Sequence, residues 1–257
     1  MGIRVEQEGP AAIVILDWPE RKNALGPEDA DALAAALIDA SRRPDVHGIV
    51  LTGEGAFCAG VNLKGTLERS AMPPEERRQI VYKSFQGLMR VLINVPVPTV
   101  AAIDGPAIGS GLDIALACDS RFLGPGGWLM QGWGRLGFVP GTGGEMLMRT
   151  LSPNLLWDIL EKQPKIDAAL AEKWHLGEAS GQTSARQRAV RRIADLTTML
   201  SRAALESYVD LYRSDLRMKL EKHLESAREH QVRLQISPSL GKKVESVLGK
   251  KPVAPDR

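Results

Sequence analysis

The feature of this sequence that most restricts its fold is a series of short, β-rich apolar segments separated by a helical pattern. Residues 12–16 read Ala-Ile-Val-Ile-Leu, residues 48–52 read Gly-Ile-Val-Leu-Thr, and an amphipathic helix is predicted from Pro27 between them. A third β-rich segment covers residues 98–103. A strand, a helix and a strand within about 40 residues favour a right-handed crossover between parallel strands. The first half of the chain therefore predicts an α/β core.

The second half has a different pattern. From about residue 145 the apolar residues follow helical spacing almost throughout, apart from a polar linker at residues 178–184. We therefore predict a core of residues 1–184 and a helical C-terminal region of residues 185–257. The apolar side chains of that region need a surface to pack on, which is either the core or a neighbouring subunit.

Composition and charge exclude several classes of protein. Of the 257 residues, 44% are hydrophobic and 25% are charged, which is typical of a globular domain, and the net charge of +2 is too small for a nucleic-acid or lipid coat. No apolar run approaches the ~20 residues that span a bilayer, and the first residues do not resemble a secretory signal. Two cysteines and four histidines without ligand spacing predict no metal site. We expect a cytoplasmic protein without nucleic-acid or membrane partners.

Two glycine-marked turns follow the second and third predicted strands, at residues 53–64 and 104–113. Ligands bind at the carboxyl ends of parallel strands, so we expect both turns to open toward one crevice. A helix that begins near Ser110 leaves free N–H groups at its start, and such groups can hold a developing oxyanion. Asp113 in the first turn of that helix is either a carboxylate favoured by the helix dipole or a base that faces the crevice.

Several segments carry motifs that occur together in one known family. They read Pro-Glu-Arg-Lys-Asn-Ala-Leu at 19–25, Phe-Cys-Ala-Gly-Val-Asn-Leu-Lys at 57–64, Gly-Pro-Ala-Ile-Gly-Ser-Gly at 105–111, Ala-Leu-Ala-Cys-Asp at 115–119 and Pro-Gly-Thr-Gly-Gly at 140–144. In order and spacing they resemble the crotonase, or enoyl-CoA hydratase/isomerase, superfamily. The resemblance implies a crotonase-like spiral of ββα units with a helical C-terminal region. It also implies a homotrimer or a dimer of trimers, and a coenzyme A thioester as substrate with no separate cofactor.

The resemblance also implies roles for individual residues. The backbone N–H groups of Val61 and Ser110 match the two donors that bind the thioester carbonyl. Ser110 stands where the family most often has glycine, but a backbone N–H survives that change. The positions that match the coenzyme A groove of the family are Lys22, Ala24, Ala59, Asn62, Leu63 and Lys64.

Two catalytic positions also depart from the family pattern. Hydratases of this family use two glutamates, and here the first is Asp113 and the second is Trp133. Asp113 is one methylene shorter than glutamate, so its oxygens fall roughly 1.5 Å short. Trp133 has one N–H donor and no basic group, so it cannot shuttle a proton but can wall off a pocket. We therefore predict Asp113 and Trp133 as atypical catalytic residues and do not expect ordinary hydration.

Three hypotheses of function follow. In the first, which we favour, an acyl-CoA lyase or isomerase stabilises a thioester enolate on Val61 and Ser110 while Asp113 moves the proton. The second is a catalytically inactive acyl-CoA-binding protein of the same fold, which Trp133 favours. The third is a structural subunit that assembles through its charged C-terminal region. The first hypothesis includes a proton shift, a decarboxylation, or the cleavage or formation of a carbon–carbon bond.

Four further residues near these motifs can be interpreted either as structural residues or as residues with a chemical role. Cys58 has no histidine close in sequence, so we interpret it as a small buried residue rather than a nucleophile. Arg135 and Glu145 are interpreted as structural. Trp128 could join Trp133 in an aromatic floor for an acyl chain or ring.

Overall fold

The computed structural model describes residues 2–235, residues 240–247 and Gly249. The strands are β1 (Gly2–Glu8), β2 (Ala11–Asp17), β3 (Gly48–Gly53), β4 (Thr99–Ile103), β5 (Pro106–Ile108), β6 (Ser120–Leu123), β7 (Trp128–Met130), β8 (Ile166–Asp167) and β9 (Glu178–Ala179). The helices are α1 (Pro27–Arg42), α2 (Leu63–Ser70), α3 (Pro74–Arg77), α4 (Lys83–Asn94), α5 (Ser110–Ala117), α6 (Gly144–Leu151), α7 (Leu155–Lys162), α8 (Ala168–Lys173), α9 (Ala185–Met199), α10 (Arg202–Gln235) and α11 (Leu240–Val247).

The described strands form a large and a small sheet. The large sheet has the order β1-β2-β3-β4-β6-β9, and only β1 runs antiparallel to its neighbour. Parallel pairing of β2 with β3, with α1 between them, confirms the predicted crossover. In the small sheet β5 pairs parallel with β7, and β8 pairs antiparallel with β7.

Both faces of the large sheet are covered, which explains why its central strands are continuously apolar. In β2 the residues Ala12, Val14 and Leu16 belong to the main hydrophobic core. The alternate residues of the strand, such as Ile13, belong to a second cluster with Ile193 of α9. The period of two along the strand thus divides one apolar run between two layers of helices.

The helical C-terminal region is confirmed, and its described part packs on the core. Ser184 accepts a hydrogen bond from the Gln187 N–H at 3.2 Å and so caps the start of α9. Arg213 of α10 is 1% exposed, and its guanidinium donates to both carboxylate oxygens of Asp119 at 2.8 and 2.5 Å. The same guanidinium donates to the Val95 carbonyl at 2.8 Å. The boundary at residue 184 therefore falls at a helix cap, and the division into a core of residues 1–184 and a C-terminal region of residues 185–257 stays a prediction.

Some elements were not predicted from the sequence. The edge strand β1 is only partly buried and reads as a polar segment, so it gives no apolar signal. The charged pattern of residues 74–93 predicts one continuous helix, but the structure has α3, a π-helical turn at 78–82 and α4 in succession. The strands β8 and β9 have two residues each, too few to show a period.

The described residues contain neither a membrane-spanning helix nor a cluster of metal ligands. None of the helices there is both long and apolar enough to cross a bilayer. Within the same ranges no three side chains of the metal-binding types come together as a set of ligands.

Candidate active site

The two glycine-marked turns lie side by side because main-chain hydrogen bonds join them. The Cys58 N–H donates to the Pro106 carbonyl at 3.0 Å, and the Ile108 N–H donates to the Cys58 carbonyl at 2.9 Å. Gly60 has a φ of +95°, and a Cβ there would lie 2.7 Å from the Ile108 carbonyl oxygen. Only glycine fits this close approach. The expected common crevice of the two turns is therefore formed.

Two backbone donors face this crevice without a protein acceptor among the described residues. Ser110 is the first residue of α5, so its N–H has no acceptor within the helix. The residues on either side of Val61 form main-chain hydrogen bonds with Leu25, and Val61 does not take part in them. The Leu25 N–H donates to the Gly60 carbonyl, and the Leu25 carbonyl accepts from the Asn62 N–H, both at 2.8 Å. The N–H groups of Val61 and Ser110 are thus available to a ligand.

The crevice is an apolar cavity of about 260 Å³. Ligand cavities commonly measure about 300–1,000 Å³, so this one suits a small group. Its lining residues are Ala59, Gly60, Val61, Leu63, Ile108, Gly109, Ser110, Trp128, Met130, Gly132, Trp133, Arg135, Leu136 and Val247. They include five of the predicted site residues, namely Ala59, Val61, Leu63, Ser110 and Trp133. Trp128 and Trp133 both line the cavity, as the aromatic-floor alternative requires.

A larger groove of about 950 Å³ lies elsewhere, between α1, α4 and α10. Charged side chains of both signs line it, among them Glu28, Lys83 and Arg90. Neither glycine-marked turn reaches it, so we place the candidate site at the smaller cavity.

The remaining predicted coenzyme A contacts do not line the cavity. Lys22 and Lys64 are exposed, and the Lys22 carbonyl accepts from the Ala59 N–H at 2.9 Å, which holds the 22–25 segment beside the cavity wall. Ala24 lies in that same segment. Asn62 precedes α2, and its side-chain oxygen accepts from the Gly65 N–H at 3.4 Å as a helix cap. Their contacts with coenzyme A stay predictions.

The carboxyl group of Asp113 is buried, and one of its two oxygens accepts hydrogen bonds from side chains. Its Oδ2 accepts a hydrogen bond from Trp133 Nε1 at 2.9 Å and another from Thr142 Oγ1 at 2.5 Å. Its Oδ1 lies against α6, where a Cβ on Gly144 would come within 1.8 Å of it. Sequence reasoning missed Thr142 as a partner, because nothing in the spacing of residues 140–144 indicates where its hydroxyl points.

Burial raises the pKa of Asp113 from its usual 3.8 to about 7. The hydrogen bonds from Thr142 and Trp133 favour the ionised form and hold the pKa below the value that burial alone would give, while the nearby charge of Glu145 raises it. A carboxyl group with a pKa of about 7 exists in both protonation states at neutral pH. This is the range that suits a general acid or base.

Asp113 does not line the cavity, which differs from the expectation of a base that faces the crevice. The reason is its pair of donors, which hold the carboxylate toward Trp133 and Thr142. The indole of Trp133 is 6% exposed and packs against apolar side chains. Those in its cluster are Leu136, Phe138, Leu240 and Val244. Trp133 thus lines the cavity and bonds to the carboxyl group of Asp113, which does not itself line the cavity.

Two further polar groups border the site. The Ser110 hydroxyl is buried without a hydrogen-bond partner among the described residues. Cys58 is fully buried, and its thiol donates to the Asn23 carbonyl at 3.1 Å. Burial raises the pKa of this thiol to about 12, so it stays protonated, in agreement with a small buried residue.

Comparisons with known proteins agree on one family. Residues 6–249 match the family model for enoyl-CoA hydratase/isomerase. A curated relative from Mycobacterium tuberculosis, the probable enoyl-CoA hydratase EchA14, is 37% identical over 146 residues, which are 56% of this chain and 56% of that protein. The chain thus matches little more than half the length of this relative.

Solved structures match over nearly the whole chain. The enoyl-CoA hydratase from Bacillus halodurans has a TM-score of 0.88 at 22% identity and covers 96% of this chain and 100% of its own. The enoyl-CoA hydratase from Polaromonas sp. JS666 is 29% identical, with a TM-score of 0.76 and 98% of each chain covered. The predicted crotonase-like fold is confirmed by these matches.

Proposed function

The chain belongs to the enoyl-CoA hydratase/isomerase family, and we propose that it binds an acyl-CoA thioester with the carbonyl oxygen between the N–H groups of Val61 and Ser110. The observation that carries this proposal is that both donors lack a protein acceptor among the described residues and belong to residues that line one apolar cavity. In an apolar site such donors stabilise a developing enolate oxygen more strongly than in water. Coenzyme A arrives as part of the substrate, and no separate cofactor is proposed.

The chemistry proposed for this site is proton transfer at the carbon next to the thioester. Asp113 takes the α-proton, and the electron pair of the broken C–H bond moves onto the carbonyl oxygen held by Val61 and Ser110. The indole of Trp133 has to swing aside first. That movement also removes one hydrogen bond from the carboxylate and so makes it a stronger base. The enzyme class proposed is therefore an acyl-CoA isomerase or lyase.

Ordinary hydration is not part of the proposal. It needs a second carboxylate to handle the proton while the first activates water, and the indole of Trp133 offers no base at that position. We expect that Trp133→Glu alone does not create a hydratase, because Asp113 remains one methylene short. Robust hydration of an enoyl-CoA by this variant would contradict that expectation.

A second candidate is a catalytically inactive acyl-CoA-binding protein. The observation in its favour is the position of Asp113 behind the indole, out of contact with the cavity. In this case the donors of Val61 and Ser110 bind the thioester, but no proton moves.

One experiment separates the two candidates. A panel of acyl-CoA thioesters is incubated with the protein in heavy water, and α-deuterium uptake or product formation is followed by mass spectrometry. Exchange that disappears in Asp113→Asn supports the enzyme. Binding without exchange across the panel supports the inactive protein, and exchange that persists in Asp113→Asn removes Asp113 from the mechanism.

We also propose that the protein assembles as a homotrimer or a dimer of trimers. Support comes from α10, where an apolar stripe is left uncovered: Tyr208, Leu211, Tyr212 and Met218 are 61%, 72%, 68% and 70% exposed. Sedimentation velocity measures the assembly directly, and a monomer at micromolar concentration would contradict this proposal.

A further inference from the structure

One charged side chain lines an otherwise apolar cavity. Among the described residues around it, Arg135 alone carries a charge, and the others are apolar residues, glycines and Ser110. Arg135 lies in the single turn 134–136 that directly follows Trp133. Arg135 is exposed, so its guanidinium lies at the solvent edge of the apolar cavity and is the one charged group of the described lining that can bind an anion there.

The guanidinium of Arg135 is oriented but not neutralised. Its Nε donates to the side-chain oxygen of Gln163 at 3.2 Å. In the part of the chain that the structure describes, no carboxylate lies within ion-pair distance of Arg135, and neither Nη group donates to a protein acceptor. The side chain therefore keeps the paired donors that match a carboxylate in a bidentate arrangement.

A second cation lies at the same rim. Lys165 follows Gln163 by two residues, and its ammonium is 4.9 Å from the ring centroid of Trp128, which lines the cavity. Asp167 pairs with Trp128 in the strand register but uses its carboxylate to cap α8, where it accepts from the Leu170 N–H at 2.9 Å. The local charge at this rim is thus positive.

We infer that Arg135 binds a second carboxylate at the far end of the acyl group, so that the substrate class is a short-chain dicarboxylic acid joined to coenzyme A through one of its carboxyls. This inference rests on the proposed function, because it needs the thioester carbonyl on Val61 and Ser110. The cavity volume of about 260 Å³ restricts the acyl group to a small one. The carboxylate then lies in the only cationic part of the described lining.

Matched pairs of thioesters test this inference. Glutaryl-CoA and pentanoyl-CoA have the same chain length and differ by a terminal carboxylate in place of a methyl, and succinyl-CoA and butyryl-CoA differ in the same way. Titration calorimetry gives the Kd of each. We expect the wild-type protein to bind the dicarboxylic member of at least one pair about tenfold or more tightly, the gain of a charge-assisted hydrogen bond. In Arg135→Gln this ratio falls to about one.

A control variant and a second set of ligands identify the source of the effect. Arg149→Gln removes an exposed arginine of α6 outside the cavity and should keep the preference. Pantetheine thioesters of the same acids lack the coenzyme A phosphates and should also show the preference if Arg135 contacts the acyl carboxylate. Equal weakening of both members of a pair in Arg135→Gln, with no preference among the pantetheine thioesters, would assign Arg135 to a phosphate and overturn the inference.

Failure of the inference and failure of the proposed function give different results. Equal binding of the two members of both pairs by the wild-type protein overturns the dicarboxylic substrate class and leaves acyl-CoA binding in place. If neither member of either pair binds, the proposed acyl-CoA function fails, and the inference fails with it.

Discussion

Trp133 donates its indole N–H to the carboxyl of Asp113 across 2.9 Å and so links the wall of the cavity to a fully buried acid. Thr142 donates to the same oxygen at 2.5 Å. Both hydrogen bonds favour the carboxylate, and burial disfavours it, which leaves the pKa of Asp113 at about 7. In the proposed mechanism, the protonation state of Asp113 and the position of the Trp133 indole beside it therefore decide whether a proton can be transferred.

The pH dependence of turnover follows from the pKa of Asp113. A base must be ionised to accept a proton, so kcat/KM for α-proton exchange should rise with pH and level off above an apparent pKa of about 7. The measurement is the rate of deuterium uptake from pH 5 to pH 9. A rate that falls with pH over this range would contradict a basic role for Asp113.

Trp133→Phe keeps an aromatic wall but removes the indole N–H. Because this hydrogen bond lowers the pKa of Asp113, its loss should move the midpoint of the pH–rate profile upward by about one unit, as expected for a bond to a charged group. The matched control is Trp128→Phe, which changes the other tryptophan of the cavity. An equal shift of the pH–rate profile in both variants would mean that loss of the hydrogen bond to Asp113 is not its cause.

Asp113→Asn should stabilise the protein at alkaline pH. Between about pH 4 and pH 7 the folded state keeps a proton on Asp113 that the unfolded chain has lost, so the free energy of unfolding falls as pH rises through this window. A rise of about three pKa units corresponds to roughly 4 kcal/mol above pH 7. Asparagine can still accept from Trp133 and Thr142 and has no charge to bury.

Urea unfolding of both proteins at pH 5 and pH 8 measures this effect. The variant should gain stability relative to the wild type between the two pH values, by on the order of 2–3 kcal/mol, because most of the titration from pH 5 to the folded pKa of about 7 lies between them. A constant difference between the two proteins would mean that Asp113 titrates at the same pH in the folded and unfolded states.

Much of the fold was predictable because its strongest signals are local. The continuous apolar runs at residues 12–16 and 48–52 specify strands by their length and composition, and the helical period of the segment between them specifies the crossover. The polar strand β1 and the two-residue strands β8 and β9 carry no such period, since their pairing depends on neighbours distant in sequence.

The candidate site was predictable only in part. The free N–H group of Ser110 follows from a helix start, which is a local feature, whereas the choice of Val61 follows from the resemblance to the family. The bonds from Trp133 and Thr142 to Asp113 join residues 20 and 29 positions apart, and side-chain directions at such separations are set by tertiary packing. The same holds for Arg135, whose place in the cavity lining depends on strands β5 and β7 and on the contact with Gln163.

The most direct test of the central proposal is the infrared stretching frequency of a ¹³C-labelled thioester carbonyl bound to the protein. Two N–H donors at Val61 and Ser110 polarise this carbonyl and shift its stretch to lower frequency on binding. Ser110→Pro removes one donor at the first helical position, where proline is well tolerated, and should abolish most of the shift and lower turnover roughly 10²-fold or more. Ser110→Ala keeps the N–H and should keep both. An unshifted carbonyl in the wild-type complex would contradict the assignment of this cavity as an oxyanion-binding acyl-CoA site.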